Sequence, residues 1–268
     1  MIIINLYSLN NEDKYLKNNL DIPSSFGIHS DLSYGFYMVD VDSSEINSAI
    51  DYSVFEATVG ISYVYNSWML GVYSKILLDE VSSNMYVVNR AKKLNNHAKI
   101  KKKESAFYIN YILLEEEKNS WRINIIYRES KLNAKDLYHS FNQYESYFNY
   151  GTRGVASSLV YAHQLNKKSS YNLSLGVLHT QAKVKIKEVV NTFDQDAFID
   201  TKSSATGLKI AFGYNYYFTK NIIFNIRNDS WWLNFSKLNV NSQVGDFLPK
   251  AKLREESLSS YFGVTWQF

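Results

Sequence analysis

The chain has 268 residues, of which 16% are aromatic and none is cysteine, and its formal net charge is +3. This composition excludes a disulfide scaffold and a thiolate metal site, and the two prolines exclude proline-rich disorder. The charge is too small to indicate a nucleic-acid partner. No stretch approaches the roughly 18 apolar residues of a membrane-spanning helix. Because no two histidines have metal-ligand spacing, we expect no metal ion, and nothing indicates a cofactor.

Residues 1–24 are predicted to form a tail, and residues 25–268 the folded domain. The segment from Asn10 to Asn19 is polar and cannot bury a face. Met1 to Leu9 lacks the basic start, apolar run and cleavage site of a secretory signal. We interpret the chain as a mature form carrying a start methionine, or as a protein that stays inside the cell.

Short polar turn signals recur near residues 66, 118, 168 and 220, at intervals of about fifty residues. Each interval accommodates two strands, a short turn and a long polar connection. The pattern predicts an all-β, up-and-down antiparallel meander of about ten strands, each of roughly 9–14 residues. The predicted strands are 26–38, 52–65, 68–78, 105–114, 121–131, 154–165, 170–182, 205–218, 221–235 and 257–268.

The strands alternate between an apolar and a polar face. In the second strand Phe55, Val59 and Tyr63 share one parity, and Glu56 and Thr58 the other. Aromatic residues crowd the strand ends beside the short turns, as in the interfacial girdle of a membrane protein. A soluble core would not accept unpaired mid-strand charges. These features predict a transmembrane β-barrel with lipid outside and a polar lumen. The alternative, a soluble lipocalin-like barrel or sandwich, would need an apolar interior.

The last strand places Phe262, Val264, Trp266 and Phe268 on one face, and the chain ends on an aromatic residue. This strand resembles the closing strand of bacterial outer membrane β-barrel proteins, which the barrel-assembly machinery recognises during insertion. The resemblance implies the outer membrane of a Gram-negative bacterium, with short turns in the periplasm and long loops outside. It also implies contact with outer membrane lipids and lipopolysaccharide. The oligomeric state is open, with a monomer favoured.

Some outer membrane barrels are enzymes, but the sequence predicts no catalysis here. Omptin-like proteases need carboxylates and a His–Asp couple at the outer rim. Asp194, Asp196 and His139 fall in outer loops, whereas His29 and Asp31 point inward near the periplasmic end. A lipid hydrolase would need an outward serine and base near the outer rim. Ser157 and His179 have the outward parity, without a serine-hydrolase motif, so a hydrolase remains only an alternative.

The predicted lumen carries a set of polar and charged side chains. They are His29, Asp31, Glu56, Lys75, Arg122, Asn124, Arg128, Lys209, Asn215, Arg227 and Asp229. Because a ten-stranded barrel is narrow, these groups must pair across the lumen or hold water. We predict that Arg122, Arg128 and Arg227 pair with Asp31, Glu56 and Asp229. The sequence favours a narrow porin-like channel for small polar solutes. The alternative is a surface-binding or structural barrel with a plugged lumen and extracellular loops that contact a ligand.

The second long loop is predicted to carry seven basic residues. They are Arg90, Lys92, Lys93, Lys99, Lys101, Lys102 and Lys103. Outside the cell this loop would face the phosphates of lipopolysaccharide, so it is a candidate anion-binding site. A basic loop in contact only with solvent is equally compatible. The third loop, from Tyr138 to Tyr150, is rich in aromatic residues that suit glycan or protein contact, or that fold over the barrel mouth.

Overall fold

The structure is a computed structural model that describes residues 24–42, 46–78, 81–89, 92–139, 143–190, 197–235 and 252–268. Side chains are described within 24–40, 50–78, 99–135, 147–185, 202–235 and 252–268. Apart from Ser24, the predicted N-terminal tail lies outside these ranges, as do Arg90, Asp194 and Asp196. In the described part, no helix is long and apolar enough to cross a membrane.

Eleven strands form one antiparallel sheet that closes on itself. They are β1 (Ser25–Asp42), β2 (Ile46–Tyr65), β3 (Trp68–Leu77), β4 (Val81–Asn89), β5 (Lys92–Glu115), β6 (Asn119–His139), β7 (Gln143–Asn166), β8 (Ser169–Val190), β9 (Ala197–Tyr217), β10 (Ile222–Phe235) and β11 (Lys252–Gln267). Strands β3 and β4 both lie between β2 and β5, so they are two halves of one barrel strand. The predicted closed ten-stranded, up-and-down barrel is confirmed.

The short turns and the barrel closure lie at one end. Phe26 and Phe268 exchange backbone hydrogen bonds of 3.3 and 2.9 Å, so the first and last strands meet beside the short turns. In the turn between β2 and β3, Asn66 has φ of 51°, a left-handed conformation that asparagine tolerates better than most residues. Strand β1 pairs with both β2 and β11, so the sheet closes on itself, as a membrane-spanning sheet requires.

Apolar side chains cover the outside of the half nearest the short turns. On each barrel strand we define the membrane belt as the run with outward apolar side chains. The belt comprises 26–36, 55–65, 68–78, 107–113, 121–127, 155–165, 171–177, 208–218, 222–232 and 258–268. Aromatic pairs such as Trp68 with Tyr111 and Trp121 with Tyr161 lie near the short turns. The belt therefore has the lipid-facing surface and aromatic girdle of a transmembrane barrel.

Beyond the belt the strands continue, and the polarity of their two faces reverses. In β6, Lys131, Asn133 and Lys135 are exposed, whereas Leu132 and Ala134 are buried. We call this part of the barrel the extension. It corrects the predicted strand lengths, because the observed strands other than β3 and β4 have 14 to 24 residues. The predicted strands are too short because they were defined by outward apolar residues. Beyond the belt the wall is surrounded by water, so its outward residues are polar.

Candidate functional site in the barrel lumen

The structure places all eleven predicted lumen residues on the inner face of the barrel. Each of them is buried, and His29, Glu56 and Asn124 are no more than 1% exposed. The inward parity read from the sequence thus reproduces the geometry of the belt, because side chains on a strand alternate strictly between the two faces. What these residues contact depends on the neighbouring strands.

Glu56 lies at the centre of one group of contacts. Its carboxylate accepts hydrogen bonds from the Lys102 ammonium at 3.0 Å and from the Tyr37 hydroxyl at 2.5 Å. The Lys75 ammonium lies 3.4 Å from the same carboxylate. Lys102 also lies 3.2 Å from the centre of the Tyr37 ring, a cation–π contact. Two buried cations and a phenol therefore balance the buried Glu56 carboxylate.

Arg128 lies at the centre of the second group. Its guanidinium is 3.7 Å from Glu104 and 3.8 Å from Glu255, and it stacks 3.7 Å from the Trp231 ring. Tyr73 donates a hydrogen bond to Glu104 at 3.0 Å, and the Tyr150 hydroxyl hydrogen-bonds to Glu255. We call Glu56, Lys75, Lys102, Glu104, Arg128 and Glu255 the ion network.

Glu104 lies beyond the belt, and neighbouring cations stabilise its ionised carboxylate. Burial alone would raise the pKa of its carboxyl, but Lys75, Arg128 and Lys102 outweigh that cost and lower the pKa from 4.5 to about 2. Burial and the nearby Glu255 carboxylate raise the pKa of the Tyr150 hydroxyl. At neutral pH Glu104 is therefore ionised, whereas the Tyr150 hydroxyl keeps its proton and donates a hydrogen bond to Glu255.

Closer to the short turns, the observed pairs differ in part from the predicted ones. Arg227 lies 3.8 Å from Asp229 and 4.0 Å from the Tyr261 ring. Arg128, however, pairs with Glu104 and Glu255 rather than with the predicted Asp31, Glu56 or Asp229. Within the described part of the chain, Arg122 makes no salt bridge, and its Nε and Nη2 atoms have no hydrogen-bond partner.

Inward glycines show that the lumen of the belt is closely packed. A Cβ atom on Gly263 would lie 1.8 Å from Oδ1 of Asp31, and one on Gly60 would lie 2.0 Å from Nε2 of His29. These distances are far shorter than van der Waals contact, so polar side chains occupy the space above each glycine. A cavity of about 20 Å³ beside Arg128 has room for roughly one water molecule.

We expect Gly71→Ala to destabilise the barrel by about 1–3 kcal/mol, the usual cost of overpacking. The added methyl group would lie 2.3 Å from the Tyr108 side chain, which is fully buried and must shift. Gly151→Ala is the matched control, because its nearest atom would be 3.9 Å away. Urea unfolding in detergent, followed by tryptophan fluorescence, measures both changes. Equal stability of the two variants would mean that the lumen beside Tyr108 is loosely packed.

An apolar layer lies inside the extension, beyond the ion network. It comprises Val39, Ile50, Ile100, Leu132, Ala134, Phe148, Val184, Leu233, Phe235 and Leu253, all buried in one contiguous cluster. Ile50 and Leu233 have no exposed surface. This layer corrects the prediction that the inner face is polar along every strand, since the interior becomes apolar where the exterior becomes polar.

Six of the seven predicted loop cations lie in a strand rather than in a loop, and Arg90 lies outside the described residues. Lys92, Lys93 and Lys99 to Lys103 belong to strand β5. Lys99, Lys101 and Lys103 face outward, but the Lys102 side chain is buried in the ion network. The side chains of Lys92 and Lys93 lie outside the described residues. The prediction of a loop was wrong because the outward residues here are lysines rather than apolar residues.

Among the described residues, the structure does not place the candidate serine and histidine opposite each other. Strand pairing aligns Ser157 with Val177 and His179 with Val155, so the hydroxyl and imidazole lie on different rungs of the sheet. Nδ1 of His179 lies 3.5 Å from the Thr206 hydroxyl instead. His29 is buried in the lumen, and the His139 side chain lies outside the described residues. Among the described residues, no three His, Cys, Asp or Glu could hold a metal ion.

The sequence reading missed Glu104 and Glu255, which hold Arg128. Both have the inward parity of their strands, two residues from Lys102 and Leu253 respectively. Continuing the parity of β5 and β11 beyond the belt would have marked them as interior residues. The signal that the strands continue is the run of alternating lysines, as in Lys99, Lys101 and Lys103 of β5 or Lys183 and Lys185 of β8.

Comparison with known proteins shows the fold. No protein-family model and no curated protein matches the chain. Among solved structures, the outer membrane protease OmpT from Escherichia coli matches with a TM-score of 0.64 and 12% identity, over 91% of this chain and 96% of that one. The translocator domain of autotransporter NalP from Neisseria meningitidis gives 0.48 and 9%, over 95% and 93%. The likeness to OmpT shows that this chain has the fold of an outer membrane β-barrel, and the apolar belt is the kind of surface that such a barrel presents to lipid.

Proposed function

We propose that this protein is a closed, non-conducting outer membrane barrel that acts by binding at the surface of its extension. The apolar layer is the observation that carries the proposal. A hydrated pathway needs a continuous series of polar groups or a wide bore, and the fully buried side chains of this layer supply neither. Desolvating a small ion across such a layer costs several kcal/mol.

The ion network, which lies on the side of the apolar layer nearer the short turns, supports the same conclusion. The charged groups of the network lie within 4 Å of opposite charges and are themselves buried. A tyrosine hydroxyl also donates a hydrogen bond to each of the three carboxylates. Charges used in this way stabilise the interior and are not available to line a water-filled conduit.

The extension offers the surface for binding. By the general rule for these barrels, long connections and the strands leading to them face the outside of the cell. In this chain the wall on that side is polar outside and apolar inside, like a small soluble barrel. Such a wall remains rigid in water, so it can present side chains to a ligand at fixed positions.

Conductance in planar bilayers tests the proposal. We expect no current steps above the baseline after insertion of the refolded protein, because the apolar layer excludes water. Heat-modifiable migration of protein recovered from the same membranes verifies correct insertion, and an open porin is the positive control. Regular current steps from correctly inserted protein would contradict the proposal.

A narrow channel is the second candidate function. It is favoured by the belt lumen, where His29, Ser62, Ser174 and Arg122 carry buried polar atoms without a hydrogen-bond partner in the described part of the protein. Water molecules in the lumen of the belt would form hydrogen bonds with such atoms. Conduction would still require the apolar layer to move, so a channel would show rare openings rather than a steady open current.

A further inference from the structure

Most outward side chains of the membrane belt are apolar or aromatic, but three neighbouring ones are polar. Asn228 and Ser230 lie on β10, and Ser260 lies opposite Asn228 on β11. We call these three residues the polar patch. The other polar residues that face outward in the belt lie on other strands: Ser30, Ser74, Ser157 and His163. Among all of these belt residues, Asn228 alone carries a carboxamide.

Asn228 lies at a depth where the belt faces hydrocarbon. Its side chain is exposed, and its outward neighbours on β10 and β9, Ile226 and Phe212, are exposed apolar residues. Trp232 lies four residues farther from the short turns, and Ile222 lies six residues nearer to them. At the usual rise and tilt of barrel strands, these offsets correspond to about 10 and about 15 Å along the membrane normal. The short side chain of Asn228 therefore cannot reach either interface.

Hydrogen bonds within the barrel satisfy one end of the Asn228 carboxamide. The Ser260 hydroxyl donates to Oδ1 of Asn228 at 2.6 Å, and the Ser230 hydroxyl donates to the Ser257 carbonyl oxygen at 3.0 Å. Among the described residues, Nδ2 of Asn228 donates no hydrogen bond. In hydrocarbon no water can accept that hydrogen bond, so an unpaired amide nitrogen is strongly unfavourable. The polar patch therefore favours a partner within the membrane that supplies an acceptor.

We propose that two copies of this chain associate side by side in the membrane through strands β10 and β11. Nδ2 of Asn228 in each copy donates to Oδ1 of the partner subunit's Asn228, so the two carboxamides form a pair of hydrogen bonds. Barrels insert with their short turns on one side of the membrane, so a two-fold axis along the membrane normal relates two such copies. This axis places each residue at the depth of its equivalent in the other copy. A carboxamide, which has both a donor and an acceptor, is then complementary to itself.

The side chains around Asn228 suit a close approach of two barrels. Ser230 and Ser260 are small, whereas Tyr34, which lies opposite Ser260 on β1, and Trp232 are large and exposed. Small residues let two membrane-spanning surfaces approach closely, as between transmembrane helices. The aromatic side chains then surround the amide pair and separate it from lipid. This dimer departs from the monomer that the sequence favours, and it does not depend on whether the lumen conducts.

The test measures dimerisation of the refolded full-length protein in lipid vesicles. Because the chain has no cysteine, Lys220→Cys in a short turn provides one labelling site for energy transfer between copies. Dilution with lipid then gives the dissociation constant of the dimer. We expect Asn228→Leu to raise this constant about 30-fold, since each of the two lost hydrogen bonds contributes roughly fivefold. The matched control is Ser157→Leu, an outward and exposed belt position on β7, and its constant should remain within about twofold of wild type.

Disulfide formation locates the contact between the two copies. We expect Ser260→Cys, beside the proposed axis, to give a cross-linked dimer when the vesicles are oxidised, whereas Ser157→Cys should remain monomeric. Heat-modifiable migration verifies that each variant is folded. A wild-type protein that remains monomeric at every protein-to-lipid ratio would overturn the proposal, as would equal dissociation constants for Asn228→Leu and Ser157→Leu. Cross-linking through Ser157→Cys but not through Ser260→Cys would also overturn it, because the copies would then meet on another face.

Discussion

Arg128→Ala is expected to destabilise the barrel by about 3–5 kcal/mol, the usual cost of removing one partner of a buried ion pair. The substitution leaves the Glu104 and Glu255 carboxylates buried without their shared cation, although each keeps a tyrosine donor. It also removes the stacking of the guanidinium on Trp231. Urea unfolding in detergent micelles, monitored by tryptophan fluorescence, measures the change.

Arg153→Ala is the control for this experiment. Arg153 lies on the neighbouring strand β7 but faces outward and is exposed, with hydrogen bonds of 3.4 and 3.3 Å to Gln181. Its loss should cost less than about 1 kcal/mol, as for other exposed polar contacts. If the two variants unfold at the same urea concentration, the ion network is hydrated. The ion network would then no longer support the proposal of a closed lumen.

Phe148→Ala is expected to destabilise the barrel by about 3–5 kcal/mol, the range for a large aromatic residue removed from a core. Phe148 is 1% exposed within the apolar layer and contacts the Tyr150 ring, with 6.2 Å between the ring centres. The neighbouring residue, Asn149, faces outward and is exposed, so Asn149→Ala should change stability by no more than about 0.5 kcal/mol.

The same pair of variants tests whether the apolar layer is a packed core. Guanidinium unfolding in lipid vesicles gives both free energies under one condition. A loss below about 1 kcal/mol for Phe148→Ala would mean that water already reaches this residue. The layer would then be a hydrated mouth, and the narrow channel would become the better function.

The sequence by itself determined the barrel in the belt. Alternation such as Phe55, Ala57, Val59 and Ile61 against Glu56, Thr58 and Gly60 assigns each residue to a face, because the period of a strand is two. The short turns and the closing strand ending in Phe268 then determined the strand number and the end at which the barrel closes. The alternation, the turn residues and the last strand each involve residues that are close together in the sequence, so they can be recognised without the structure.

Only the tertiary structure decided which interior groups meet. Arg128 of β6 lies between Glu104 of β5 and Glu255 of β11, and no spacing in the sequence relates the last pair. Register likewise aligns Lys131 of β6 with Gly151 of β7, and Gly151 with Lys183 of β8. Register and closure bring together residues that are distant in the sequence. The alternation within one strand does not determine which residues of the neighbouring strand lie opposite it.

The extension shows the same division at a finer scale. The sequence contains the reversed alternation of Lys131, Leu132, Asn133 and Ala134, but either face of such a strand could point inward in isolation. The continuous strand from the belt decides the direction, since Arg128 and Leu132 have the same parity and must share the inner face. The reversal itself follows from the change of surroundings, from hydrocarbon around the belt to water around the extension.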